Sequence, residues 1–158
     1  MSKLFASWVP GCAVVAQKMG SGTLNSGGWN FADCNGHREG GGVTFYIGGG
    51  CNNWFHVPIP TPVIVENQRA RLGRVMVLFK FPTTVTLDAV DVWDGPRKIF
   101  GKNVTLTGDH GNGLDADNAF DVNYDGIQWG VVICLHVSAL KDDAIQFISA
   151  GADFYHNI

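Results

Sequence analysis

The densest run of side chains able to bind a ligand or move a proton is GDHGNGLDADNAFDVNYDG, residues 108–126. It holds five aspartates, three asparagines and one histidine in nineteen residues. Asp121, Asn123 and Asp125 read D-x-N-x-D, and Gly126 follows. Oxygens at alternate positions wrap one side of a hard cation, and glycine permits the sharp turn, so this is the front half of a calcium loop. The closing position, where a bidentate glutamate belongs, is Val132. Calcium would therefore need further oxygens from Asp109, Asp115 or Asp117. Asp, Asn and Gly also favour turns, because short polar side chains bond nearby backbone and tolerate left-handed conformations. Turn chemistry explains most of the acidic count, with Leu114 and Phe120 pointing inward to pin the loop.

Two other places carry candidate chemistry. Asp109 stands beside His110, a pairing that suits a general base or an oriented metal ligand. Neighbours on an extended chain point to opposite faces, however, so the two need not touch. The stretch CNNWFHVPIPTP, residues 51–62, leads Trp54, Phe55 and His56 into three prolines that stiffen an extended segment. Aromatic rings held stiffly make stacking platforms for sugars or peptides. The alternative is that they pack inward and close the end of the fold. Five tryptophans, Trp8, Trp29, Trp54, Trp93 and Trp129, suit a dense core or a binding face equally.

Several activities lack their signatures. No serine or cysteine sits in a G-x-S-x-G elbow. His37, His56, His110, His136 and His156 form no H-x-H or H-E-x-x-H pattern. Cys12, Cys34, Cys51 and Cys134 share no C-x-x-C spacing, which argues against a zinc knuckle or a thioredoxin motif. Reduced thiols are expected, Cys134 buried within a strand. A net charge of −3 and a pI near 5.9 argue against nucleic acid as a partner. The one basic cluster, Arg69, Arg71 and Arg74, reads as a solvated edge. No segment approaches the roughly 18 apolar residues of a membrane span. Pro10 and Gly11 split the apolar N-terminal run below signal-peptide length, and CAVVAQK reads as the first strand. A cytoplasmic location is expected, with secretion by a non-classical route left open.

These residues must be positioned by strands. The chain of 158 residues, 46% hydrophobic and 16% charged, reads as one globular domain, 1–158. Its recurring apolar period is two, with no sustained helical pattern. VTFYI places Val43, Phe45 and Ile47 on one face, and RVMVLFKF does so with Val75, Val77, Phe79 and Phe81. In IQWGVVICLHVSA, Ile127, Trp129, Val131, Ile133, Leu135 and Val137 share one face. The opposite row, Gln128 to Ser138, is half polar, which indicates a central strand covered in part on both sides. In TVTLDAVDVWD, Val85, Leu87 and Ala89 alternate in one register and Val90 and Val92 in the opposite one, the mark of a β-bulge or of a strand bending between sheets. Asp94-Gly95 signals a hairpin. DAIQFISAG and DFYH read as further strands. Eight to ten strands and glycine-rich turns predict an all-β, antiparallel two-sheet sandwich or jelly roll.

The blocks NWFHVPIPTPVIV, VDVWDGPRKI, LTGDHGNGLDADNAF, IQWGVVI and ISAGADFYH resemble an uncharacterised family of short microbial proteins, a domain of unknown function. The resemblance spans Asn53 to His156. It implies a compact β-sandwich and brings no activity, cofactor or catalytic residue.

Three functions follow as expectations. The first is a non-catalytic module binding a carbohydrate or similar polar ligand at the loop end of the sandwich, through Trp54, His56, Asp109, His110, Asn112 and Asp115. Calcium on Asp121, Asn123 and Asp125 is its candidate cofactor. The second is a self-assembling structural protein, a homo-oligomer or filament. The third is a metal-dependent enzyme using His56, His110 and nearby carboxylates.

Overall fold

The structure, a computed structural model, describes residues 3–18 and 37–156. Trp29 and Cys34 lie outside the described residues. In chain order the strands are β1 (Lys3–Pro10), β2 (Val15–Ala16), β3 (His37–Glu39), β4 (Gly42–Ile47), β5 (Asn52–Ile59), β6 (Ile64–Val65) and β7 (Gln68–Phe81). They continue with β8 (Val85–Asp94), β9 (Arg97–Leu106), β10 (Gly108–His110), β11 (Ala119–Tyr124), β12 (Val131–Ala139) and β13 (Asp143–His156). One turn of 3₁₀ helix, Gly11–Ala13, follows β1.

The strands form two antiparallel sheets. Sheet A is built on the two 14-residue strands β7 and β13. One edge of β7 takes β10 and β11 end to end, and the far edge of β13 takes β4 and β1. Sheet B runs β2-β5-β12-β8-β9. The main order, β11-β7-β13-β4 facing β5-β12-β8-β9, is the double Greek key of a jelly roll. Among the long strands only β8 and β9 are joined as a hairpin within one sheet. Gly95, at φ +53°, makes that turn, as the Asp-Gly signal predicts.

Period-two alternation closes the core. Val75, Val77, Phe79 and Phe81 are buried from sheet A, and Ile133, Leu135 and Val137 from sheet B. Phe55 of sheet B meets Phe45 and Phe147 of sheet A at ring-centroid distances of 4.9 and 5.1 Å. Phe81 adds an edge contact to Phe147 at 5.6 Å. These rings clamp the two sheets together, and burying each stabilises the fold by about 2–3 kcal/mol. Beside them two backbones approach closely. A Cβ on Gly11 or Gly42 would stand 2.0 or 2.3 Å from the carbonyl oxygen of Phe147, so only glycine fits there.

Four local expectations change. The first strand is Lys3–Pro10, paired along β13; CAVVAQK supplies a 3₁₀ turn and only the two-residue β2. DAIQFISAG and DFYH are one strand, bent at register shifts after Phe147 and Asp153. Leu114 is exposed, although Phe120 is buried as expected. Trp129 is not in the core: β12 begins at Val131, and Trp129 is 72% exposed. The cause is Asp94, whose buried carboxylate accepts the backbone N–H groups of Gln128, Trp129 and Gly130 at 2.8, 2.8 and 3.1 Å. That capture folds the segment into a loop before the strand can start. The phase change in β8 is borne out, but it falls two residues earlier than the alternation suggested, with the register shift between Leu87 and Ala89 against β9.

Candidate functional site

Sheet B turns its second face outward, and that face holds the chemistry. On β5, Phe55, Val57 and Ile59 point in, leaving Trp54, His56 and Pro58 outside. On β12 the outer row is Val132, Cys134, His136 and Ser138. The bulge in β8 buries Val90 and Val92 and so turns Asp91 and Trp93 outward. Register then aligns the rows. His56 lies opposite Cys134, which lies opposite Asp91. Trp54 lies opposite His136, and Trp93 opposite Val132. Gln17 and these residues other than His136 line a groove of about 430 Å³ that reaches Gly95 and includes both Trp54 and Trp93.

The polar floor is internally bonded. His56 donates from Nε2 to Gln17 Oε1 at 2.7 Å, which leaves Nδ1 to accept from the Cys134 thiol at 3.1 Å. Burial holds the His56 ring below its ordinary pKa. Burial, reinforced by the charge of Asp91, pushes the Cys134 thiol up to about 11. Both shifts favour the neutral pair, an imidazole with a thiol, over the ion pair a cysteine nucleophile needs. Lys98 Nζ sits 3.1 Å from Asp91 and balances its charge.

One step along the sheet, Asp88 bonds the Nδ1 of His136 and accepts the Ser138 hydroxyl at 2.6 Å. His136 also packs on Trp54, with ring centroids 4.8 Å apart. The carboxylate stands between histidine and serine. A hydrolytic triad requires the histidine in the middle, so this set fixes Trp54 and activates no nucleophile.

A family model covers residues 36–154. The chain belongs to the family of unknown function DUF6623. No curated protein matches the chain in sequence. Among solved structures it is similar to a "xylan-binding module CBM15", at 16% identity and a TM-score of 0.42. That likeness takes in 92% of this chain and 98% of the module.

Within this DUF6623 chain the expected composite site comes apart. Trp54 and His56 lie on the outer face of sheet B, whereas Asp109 and His110 belong to β10, at the edge of sheet A. Jelly-roll connectivity sends β5 and β10 to different sheets, which separates the two halves. Asp109 points outward near Lys80, 3.9 Å away, and its Oδ1 accepts the Gly111 N–H. His110 turns the other way, against Phe79, as the alternation rule required. Its Nε2 donates to Thr107 O at 3.0 Å and its Nδ1 meets Asp115 at 3.1 Å. The Asp117 N–H, and after it His110, hold the Asp115 carboxyl below the usual range. Asn112 is exposed at the loop tip.

Beneath that loop Asn118, wholly buried, donates to the carbonyls of His110 and Gly113 and accepts the Asp115 N–H. His110, Asp115 and Asp117 are the described residues whose ligand atoms gather within 4.8 Å. Both aspartates are exposed, and backbone N–H groups already engage Asp115. The calcium half-loop has a cation of its own. Arg71 lies 3.1 Å from Asp125 and 3.5 Å from the Asn123 side-chain oxygen, while Asp121 is exposed opposite Arg74 on β7. Arg69 bonds the carbonyls of Ile127 and Gln128, and Arg74 pairs with buried Asp153. The arginine cluster is therefore structural in all three members.

Sequence reading reached Trp54 and His56 but missed Gln17, Asp91, Trp93 and Cys134. Their signal was present as the half-polar row of β12 and the polar phase of β8 after the bulge. The first reads equally as partial covering of a central strand, and the second only as a bulge.

Proposed function

We propose that this chain is a non-catalytic carbohydrate-binding module whose binding face is the outer face of sheet B. The observation that carries this is the groove itself. Trp54 and Trp93 offer apolar ring faces above a floor of Gln17, His56 and Asp91. A sugar ring presents an apolar C–H face edged by hydroxyls, which is the complement of such walls and floor. The neutral His56–Cys134 pair and the Asp88-centred cluster support binding over catalysis, because neither generates a nucleophile. The reading moves the expected ligand from the loop end to the sheet face and removes Asp109, His110, Asn112 and Asp115 from contact with it.

An array of immobilised polysaccharides, followed by titration calorimetry with the soluble hits, tests this. Trp54→Ala and Trp93→Ala are each expected to weaken binding about tenfold, equivalent to ~1.4 kcal/mol, with the circular dichroism of the sheet retained. Chelation of divalent cations is expected to leave affinity unchanged. No binding to any polysaccharide at millimolar concentration, or binding indifferent to both tryptophans, would refute the proposal.

A further inference from the structure

We infer that the binding track continues past Gly95 to Trp129, so that the ligand is a linear polysaccharide chain rather than a single terminal sugar. This rests on the carbohydrate reading above and extends it to a hollow outside the groove.

Trp129 is the starting observation. A tryptophan 72% exposed gains little from burial, yet its backbone is fixed by the buried Asp94. An exposed ring anchored at its backbone and set against a groove that already holds two tryptophans enlarges one apolar surface. The ring is also joined to the groove. Its Cδ1 lies 2.6 Å from where a Cβ on Gly95 would stand, so it lies directly over that glycine, and Gly95 lines the groove. On its other side Trp129 walls a second hollow of about 310 Å³ with Pro96, Tyr124, Arg97 and Gln128. That hollow repeats the composition of the groove, ring faces with hydrogen-bonding groups beside them.

The three rings follow one direction. Trp54 lies level with His136 of β12, Trp93 with Val132, and Trp129 stands two residues before the strand begins. At about 3.3 Å per residue the strand from the level of Trp54 to its start at Val131 covers roughly 16 Å, with Trp129 in the loop beyond, and Trp54 and Trp93 are two strand spacings, about 10 Å, apart sideways. One sugar ring cannot reach two such platforms. A chain of pyranoses joined through equatorial hydroxyls can, because it is a ribbon with an apolar face at every unit. Gly95 supports the joint: a side chain there would displace Trp129 and close the passage.

The test is calorimetry with β-1,4-linked xylo- and cello-oligosaccharides of two, four and six units. Affinity is expected to rise with length up to the hexasaccharide. Trp129→Ala is expected to weaken hexasaccharide binding about tenfold and leave the disaccharide unchanged, and Trp129→Phe to restore most of the loss. Trp54→Ala with Trp93→Ala is expected to weaken every length. Equal effects of Trp129→Ala on all lengths, or none on the hexasaccharide, would overturn the extended track while the groove reading stands. Failure of the wild-type chain to bind any length would overturn both.

Discussion

Asp94 holds Trp129 from thirty-five positions away: a carboxylate only 1% exposed accepts the tryptophan's backbone N–H at 2.8 Å. Gln128 and Gly130 donate to the same group, so three N–H dipoles converge on one buried charge. Asp94→Asn would set an amide N–H₂ against those donors. Charge-assisted bonds contribute about 1.5–3 kcal/mol each, and a buried unmatched group costs more, so a loss of roughly 3 kcal/mol is expected. Urea unfolding measures it. Unchanged stability would mean the loop is held by something else.

Acid should loosen the groove through His56. Burial lowers its folded pKa below the unfolded value of 6.5, so the unfolded state takes up the proton first as pH falls. Stability from the neutral ring is therefore complete above 6.5 and lost as pH drops through that value toward the folded one. Protonation also removes the lone pair that accepts the Cys134 thiol. Wild-type melting temperature should fall between pH 7 and pH 5 more steeply than that of His56→Gln. Parallel curves would assign the acid sensitivity to another histidine.

Cys134 should resist alkylation. Burial and the Asp91 charge push its thiol up to about 11, and its hydrogen is given to His56, so little thiolate exists at pH 8. Cys12 is exposed. Iodoacetamide labelling followed by peptide mass spectrometry should modify Cys12 at least tenfold faster than Cys134. Equal rates would show that the groove floor opens.

Asn118 is the peg of the acidic loop. Its amide satisfies two carbonyls and one N–H within residues 110–115 while wholly buried. Asn118→Ala should cost on the order of 2–3 kcal/mol, because three backbone groups lose their partner. Thermal denaturation checks the cost. On the proposed function, oligosaccharide affinity should be unaffected, since the loop belongs to sheet A.

Alternation along the chain was enough to reveal the fold. The faces of β4, β7 and most of β12, the bulge in β8 and the Asp-Gly turn follow from spacing alone, because a half-buried strand must alternate. The groove was only half legible. Trp54 and His56 stand out in sequence, but their partners Cys134 and Asp91 come from β12 and β8, and only register pairs them. Trp129 was misplaced because its pattern matched the strand that follows, whereas a single distant carboxylate sets the strand's start. The acidic loop was legible as turn chemistry, and its aspartates do answer local N–H groups; the arginine that pairs with Asp125 comes from β7 and is set by strand pairing.

The position of β13 constrains how the molecule is made. It supplies the middle of sheet A, pairing with β1, β4 and β7. A ribosome must therefore finish Asp143–His156 before β1 has its partner or β4 its second one. Until then β7 and β4 present unpaired edges, and the phenylalanines of both sheets lack their closing layer. Closing the sheet is thus a late event that joins β1 to β13 across most of the domain, with high contact order and slow kinetics. The same dependence makes the nascent chain, rather than the folded domain, the species most exposed to aggregation and most in need of chaperones.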